Sequence, residues 1–150
     1  MVHPARHTHP VSTWSELEAE KAFRQASRAR RRAALLARLR RGARLCGLAV
    51  FDETPRSGSR SGRSVREIPL DAIKGTTEPN RAGQFDRDFR PARLTRCRWQ
   101  SVWLAFHRGA PLPPISVVQF GDVYAIRDGH HRVSVAKALG APSIRAIVAA

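Results

Sequence analysis

The chain has 150 residues and a net charge of +15, from 27 lysines and arginines against 12 acids, which leaves room for one domain and a basic extension. No apolar run approaches the roughly 20 residues of a membrane span and no signal-peptide pattern opens the chain, so no membrane partner and a cytoplasmic location are expected. The pI of about 11.7 favours a polyanion, a nucleotide or an acidic surface as partner.

Residues 1–12 read as a disordered tail, because Pro4 and Pro10 flank His3, His7 and His9. Those histidines have no carboxylate or cysteine companion, and no metal ligand set is assigned. Residues 13–45 read as an arginine-rich helix. Ser15 and Glu18 fit a capping box at its start, and Glu16, Glu18 and Glu20 suit its dipole. From Lys21 to Arg44 the helix is basic without an acid. Ala22, Ala26, Ala29, Ala33 and Leu36 make a narrow stripe with Leu35 and Leu39 beside it. Two readings stand side by side: the helix lies on a nucleic-acid backbone or an acidic partner, or it is a solvated helix docked by its leucines.

Residues 46–64 read as a flexible basic linker, with a short apolar patch at 47–50 and then Pro55, Gly58, Gly62 and several serines. The cysteines, Cys46 and Cys97, lie far apart in no metal spacing and read as reduced thiols. Residues 65–150 form the domain proper and are expected to fold without the first 64. Val65 to Ile73 reads as a first strand and its exit. Lys74 to Gly83 reads as an irregular loop rich in donors, including Lys74, Thr76 and Arg81. Phe85 and Phe89 are spaced to anchor a helical turn that Pro91 ends. Trp99, Val102, Trp103 and Phe106 fall at i, i+3, i+4 and i+7, the spacing of a helix packed on a core. After Gly109 and the rigid Leu112-Pro113-Pro114, Ile115–Phe120 and Val123–Ile126 read as a hairpin about Gly121-Asp122. Ser143 to Val148 reads as the last strand.

Between that hairpin and the last strand lies Asp128-Gly129-His130-His131-Arg132. It runs into a short helix with Val135, Ala138 and Leu139 on one face and Gly140 as its C-terminal cap. A helix N-terminus offers unpaired N–H groups and a partial positive charge. Gly129 permits close approach of a ligand, and the histidines and Arg132 add donors. The combination predicts a phosphate cradle made by Asp128, Gly129, His130, His131, Arg132 and Ser134, with Lys74, Thr76 and Arg81 on the opposite wall. A histidine contact of this kind weakens as pH rises through ~6.5 if the charged form binds.

In their order, these parts resemble the ParB N-terminal-like, or ParB/sulfiredoxin, superfamily over about residues 66–148. The resemblance rests on Ile68-Pro69-Leu70-Asp71-Ala72-Ile73, Phe85-Asp86, Leu112-Pro113-Pro114-Ile115-Ser116-Val117, Tyr124-Ala125-Ile126 with Gly129-His130-His131-Arg132, and Ile144-Arg145-Ala146-Ile147-Val148. It implies an α+β fold, a small mixed sheet with packed helices, here preceded by the basic helix. ParB proteins hold the triphosphate of CTP at a Gly-Glu-Arg-Arg turn. Sulfiredoxins carry a catalytic cysteine in a Gly-Cys-His-Arg turn, and free-serine kinases hold nucleotide phosphates at an Asp-Gly-His-type turn. His130 stands where sulfiredoxin needs its cysteine, so sulfinic-acid reduction there is not expected. No helix-turn-helix follows, so a complete partition protein is not expected either.

The resemblance therefore implies a domain that binds ATP, ADP or CTP, with Mg²⁺ as a companion of the phosphates. One alternative is a small-molecule kinase or nucleotidase, with Glu78, Asp86 or Asp128 as base or metal ligand. Another is a ParB-like DNA-binding protein, in which the turn grips a backbone phosphate and the arginine helix adds area.

Overall fold

A computed structural model describes residues 11–41, 47–52 and 63–149. The hairpin forms as its turn chemistry dictates. Strands β4 (Ile115–Phe120) and β5 (Val123–Asp128) are joined by Gly121-Asp122, and Gly121 has φ +62°, which a type II′ turn requires at its first central position. Strand β6 (Ser143–Ala149) lies parallel to β4, and β2 (Ser64–Pro69) closes that edge antiparallel to β6. On the other flank β3 (Ile73–Thr76) runs parallel to β5, and β1 (Ala49–Val50) runs parallel to β3. The sheet order is β1-β3-β5-β4-β6-β2, a mixed sheet as expected for an α+β fold.

Three helices complete the described residues: α1 (Val11–Arg41), α2 (Arg96–His107) and α3 (His130–Ala138). Val133 and Ala136 of α3 join the sheet core with Ile73, Phe85, Ile115, Val117 and Ile126. Val135 of the same helix packs instead with Trp99 and Trp103 of α2. Because α3 is buried on two sides, the single stripe of Val135, Ala138 and Leu139 does not describe it, and Ala138 and Leu139 are exposed. Gly140, at φ +72°, ends α3 in a Schellman motif: Gly140 N–H donates to Lys137 O and Ala141 N–H to Ala136 O, both at 3.0 Å.

Several expectations along the chain are corrected. The arginine helix is already helical at Val11, so Ser15 and Glu18 lie inside it rather than at its start; nothing from Val11 to Trp14 breaks a helix. The rest of the expected tail, with its histidines, lies outside the described residues. The helix docks through Ala19 and Phe23, with Ala22 and Ala26 beside them, against Trp99 and Trp103, while Leu35, Leu36 and Leu39 stay exposed. Small alanines let the helices approach closely, and Phe23 supplies the area; its ring meets that of Trp99 edge-on at 5.6 Å. Glu20 clasps the same junction, with its carboxylate bonded to Arg24, Arg96 and Gln100.

Residues 47–52 belong to the sheet rather than to a linker. Leu48 N–H donates to Ala82 O, Phe51 N–H donates to Thr76 O, and Phe51 packs on Phe120. Positions 53–62 and Cys46 lie outside the described residues. The stretch expected as one loop, 74–83, begins as strand β3 and continues as a 3-10 turn over Pro79–Gln84. Phe85 and Phe89 form no helical turn. Phe85 bridges Pro91, and Phe89 adopts φ +61°. The buried Asp86 carboxylate shapes this turn, accepting from the backbone N–H of Asp88 and Arg90 and from the Arg90 guanidinium. The expected role of Asp86 as base or metal ligand is therefore not met, because that turn takes up the carboxylate.

Candidate functional site: a cationic cleft at the start of α3

Strands β3 and β5 are adjacent and parallel, so their carboxyl ends open on the same edge of the sheet. In open sheets with parallel strands that edge is where ligands gather. Residues following β3 (Glu78, Arg81 and Gln84), Arg127 and Asp128 at the end of β5, Gly129 to Arg132 after it, and Leu94, Thr95, Arg98 and Val102 of the α2 region line a cleft of about 610 Å³. Four arginines face it against two carboxylates, before either histidine is considered. Among the described residues no cluster of three or more histidine, cysteine or acidic side chains gathers as a metal site.

The strand-to-helix turn depends on Gly129, the N-cap of α3, at φ +106°. A Cβ there would sit 2.4 Å from Cγ2 of Ile115, so the glycine is required by packing as well as by its backbone angle. The first bond of the helix runs from Val133 N–H to Gly129 O. The N–H groups of His130, His131 and Arg132 thus fall in the first turn, where the helix supplies no acceptor, and these residues line the cleft at the positive end of the helix.

His130 is buried and its Nε2 lies 2.7 Å from Thr76 Oγ1. The Thr76 hydroxyl donates to Ile126 O and accepts from Glu78 N–H. Thr76 thus ties the His130 ring to the backbone at Ile126 and Glu78. His131 is half-buried, edge-on to Phe85 at 5.3 Å. Burial, and then the charge of Arg81, push both histidines from 6.5 to about 4, with His131 adding to the effect on His130 and Arg98 to that on His131. Both rings are therefore neutral at pH 7, and the expected loss of a charged histidine contact as pH rises through ~6.5 is not supported.

Arg132 serves a different purpose from the one expected. Its guanidinium donates to the carbonyls of Pro113 and Pro114, at 3.0 Å for Pro114, and to Asp128 Oδ2 at 2.8 Å. It ties α3 to the rigid approach to β4, and its side chain is only 14% exposed. Asp128 stands one residue before the N-cap, Gly129, and its 77% exposed carboxylate pairs with Arg132. Ser134 is corrected as a ligand: its Oγ donates to Phe89 O at 2.6 Å and accepts from Trp99 Nε1 at 2.9 Å, wholly inside the core. Thr76 is fully buried and supports His130 instead of lining the cleft. Lys74 is exposed on β3, away from the cleft lining.

The structure thus brings together Glu78, Arg81, Asp128, Gly129, His130, His131 and Arg132. It adds Arg98 and Arg127, which sequence reading missed. Thr95, Arg98 and Val102 follow one another at helical spacing beside the aromatic stripe, a signal overshadowed by the tryptophans. Arg127 stands at the carboxyl end of β5, a position that becomes suggestive only once β5 is known to be parallel to β3.

No family model matches this chain, and no curated protein matches it. Among solved structures it is similar to sulfiredoxin from Arabidopsis thaliana, at 22% identity with a TM-score of 0.40, over 57% of this chain and 84% of that chain.

Proposed function

We propose that the cleft binds the phosphates of a nucleoside di- or triphosphate, in a ParB/sulfiredoxin-type domain. The observation that carries this reading is that Arg81, Arg98 and Arg127 line one cleft with Gly129, His130, His131 and Arg132, the N-cap and first turn of a helix. An anion there receives charge-assisted hydrogen bonds from side chains and dipole stabilisation from the backbone. Leu94 and Val102, at one wall, supply apolar surface for the nucleoside. The residues present suit phosphate better than a bare cation; Mg²⁺ would arrive with the phosphates, next to Glu78.

The test is calorimetric titration with ATP, ADP, CTP, GTP and tripolyphosphate, with and without Mg²⁺. Binding of at least one is expected, and Arg81→Ala or Arg98→Ala should weaken it by roughly 10- to 100-fold, the loss of about 1.5–3 kcal/mol from a charge-assisted contact. No binding heat with any of the five would end this reading.

Glu78 favours a second reading, phosphoryl transfer or nucleotide hydrolysis. Its exposed carboxylate lines the same cleft, whereas Asp128 is engaged by Arg132. On that reading Glu78→Gln retains nucleotide affinity and loses turnover, measured as phosphate release.

A further inference from the structure

The far side of α1 carries a second, independent pattern. At 100° per residue, Trp14, Leu17, Leu35 and Leu39 fall opposite the buried Ala19 and Phe23, and Leu36 lies on the flank of that face. They are 71%, 58%, 59%, 52% and 82% exposed. Between these two apolar ends the same face presents Lys21, Arg24, Arg28 and Arg32, and with Leu17 and Glu20, whose carboxylate pairs with Arg24, these line a shallow groove of about 640 Å³. From residue 21 to residue 40 there are eight lysines and arginines and no acid. Helix α1 is anchored near Ala19 and Phe23, and by Arg30 donating to the carbonyls of Gly83 and Gln84, so its last turns extend beyond that anchorage with their leucines in water.

We propose that this face docks an acidic amphipathic helix of another protein, apolar toward both ends and rich in Asp or Glu between them. Such a helix satisfies both halves of the pattern: carboxylates meet the arginines, and apolar side chains cover Trp14, Leu17 and the three leucines. A second copy of this chain does not fit, because parallel and antiparallel pairing of two α1 helices both set the Lys21–Arg32 stretch against itself. A nucleic acid would neutralise the arginines and leave five large apolar side chains in water. An anionic bilayer needs a continuous apolar face, which the four cations interrupt.

The probe is a synthetic helical peptide about 26 residues long, the length of the face, with leucines in its end turns and glutamates between them. A second peptide has every glutamate replaced by glutamine. Duplex DNA and phosphatidylglycerol/phosphatidylcholine vesicles complete the set. Each is titrated into the full chain and into a Leu36→Ser/Leu39→Ser double variant, whose substitutions are on exposed positions and keep the net charge. The acidic peptide is expected to bind the full chain, to bind the double variant about tenfold more weakly, and to lose a similar factor when its glutamates become glutamines. Absence of peptide binding, or equal affinity for both proteins, overturns the proposal. So does DNA binding tighter than peptide binding in both proteins, or vesicle binding that the leucine substitutions abolish. None of these outcomes touches the nucleotide cleft.

Discussion

Arg132 and His130 show how residue types that suggest a ligand can be recruited by the fold itself. Arg132 closes the turn by bonding two proline carbonyls and Asp128. Arg132→Ala should therefore lower stability by about 1–3 kcal/mol, since it strands the carbonyls and removes the ion pair. Arg98→Ala should leave the melting temperature nearly unchanged. Denaturant melts of the two variants, set beside their nucleotide titrations, separate a structural arginine from a binding one.

His130 makes a pH prediction of definite sign. Its pKa is pushed from 6.5 to about 4, first by burial and then by the charges of Arg81 and His131. The unfolded chain takes up this proton below about pH 6.5, and the folded chain resists it down to about pH 4. The associated stability is present above pH 6.5 and is lost as pH falls from 6.5 to 4, to a total of roughly 3 kcal/mol. Urea melts of wild type and His130→Gln at pH 7.5, 6, 5 and 4.5 read it directly. The gap between the two proteins should narrow with acidification, and a constant gap would contradict the assignment.

At the scale of elements, α1 is held by a small set of contacts at its amino-terminal half. Phe23 fills the space against Trp99 and Trp103, and Glu20 binds Arg24, Arg96 and Gln100. Burial pushes the Glu20 carboxyl up, but the hydrogen bonds from Arg24, Gln100 and Arg96 outweigh it and leave the pKa below its usual value. This clasp is accordingly present above the ordinary carboxylate range and weakens as pH falls through the lowered value. Phe23→Ala should cost about 3 kcal/mol if α1 and the domain unfold together. It should also shift tryptophan emission to the red, as Trp99 and Trp103 meet water. Unchanged emission would mean that α1 does not cover them in solution.

The whole molecule answers differently from its sequence on where the domain begins. The linker composition of 46–64 argued that 65–150 folds alone. In the structure Trp99 is fully buried beneath Phe23, Leu48 belongs to the sheet core, and β1 caps the β3 edge. A chain of residues 63–150 should therefore melt at a clearly lower temperature and with a broader transition than the full chain. It should also expose a dye-binding apolar surface around Trp99 and Trp103. Scanning calorimetry of the two chains decides it; matching transitions would restore 65–150 as a self-sufficient unit.

Local patterns determined a good deal by themselves. Trp99, Val102, Trp103 and Phe106 specify α2 because helical period is a property of the segment alone. Gly121-Asp122 specifies the hairpin because the backbone angles of a two-residue turn are local. The strand-to-helix turn at 128–132 was legible for the same reason: an N-terminal helix turn carries its orphan N–H groups wherever it is placed. What a side chain does within that turn depends on neighbours far away in sequence. Pro113 and Pro114 occupy Arg132, Thr76 holds His130, and Phe89 with Trp99 takes Ser134. Arg98 and Arg127 enter the cleft only because α2 packs on α3 and β5 runs beside β3. Hydrogen-bond capacity can be read from one residue, but its consumption is settled by tertiary contacts, and that is why the turn's place in the chain was readable and the division of labour among its side chains was not.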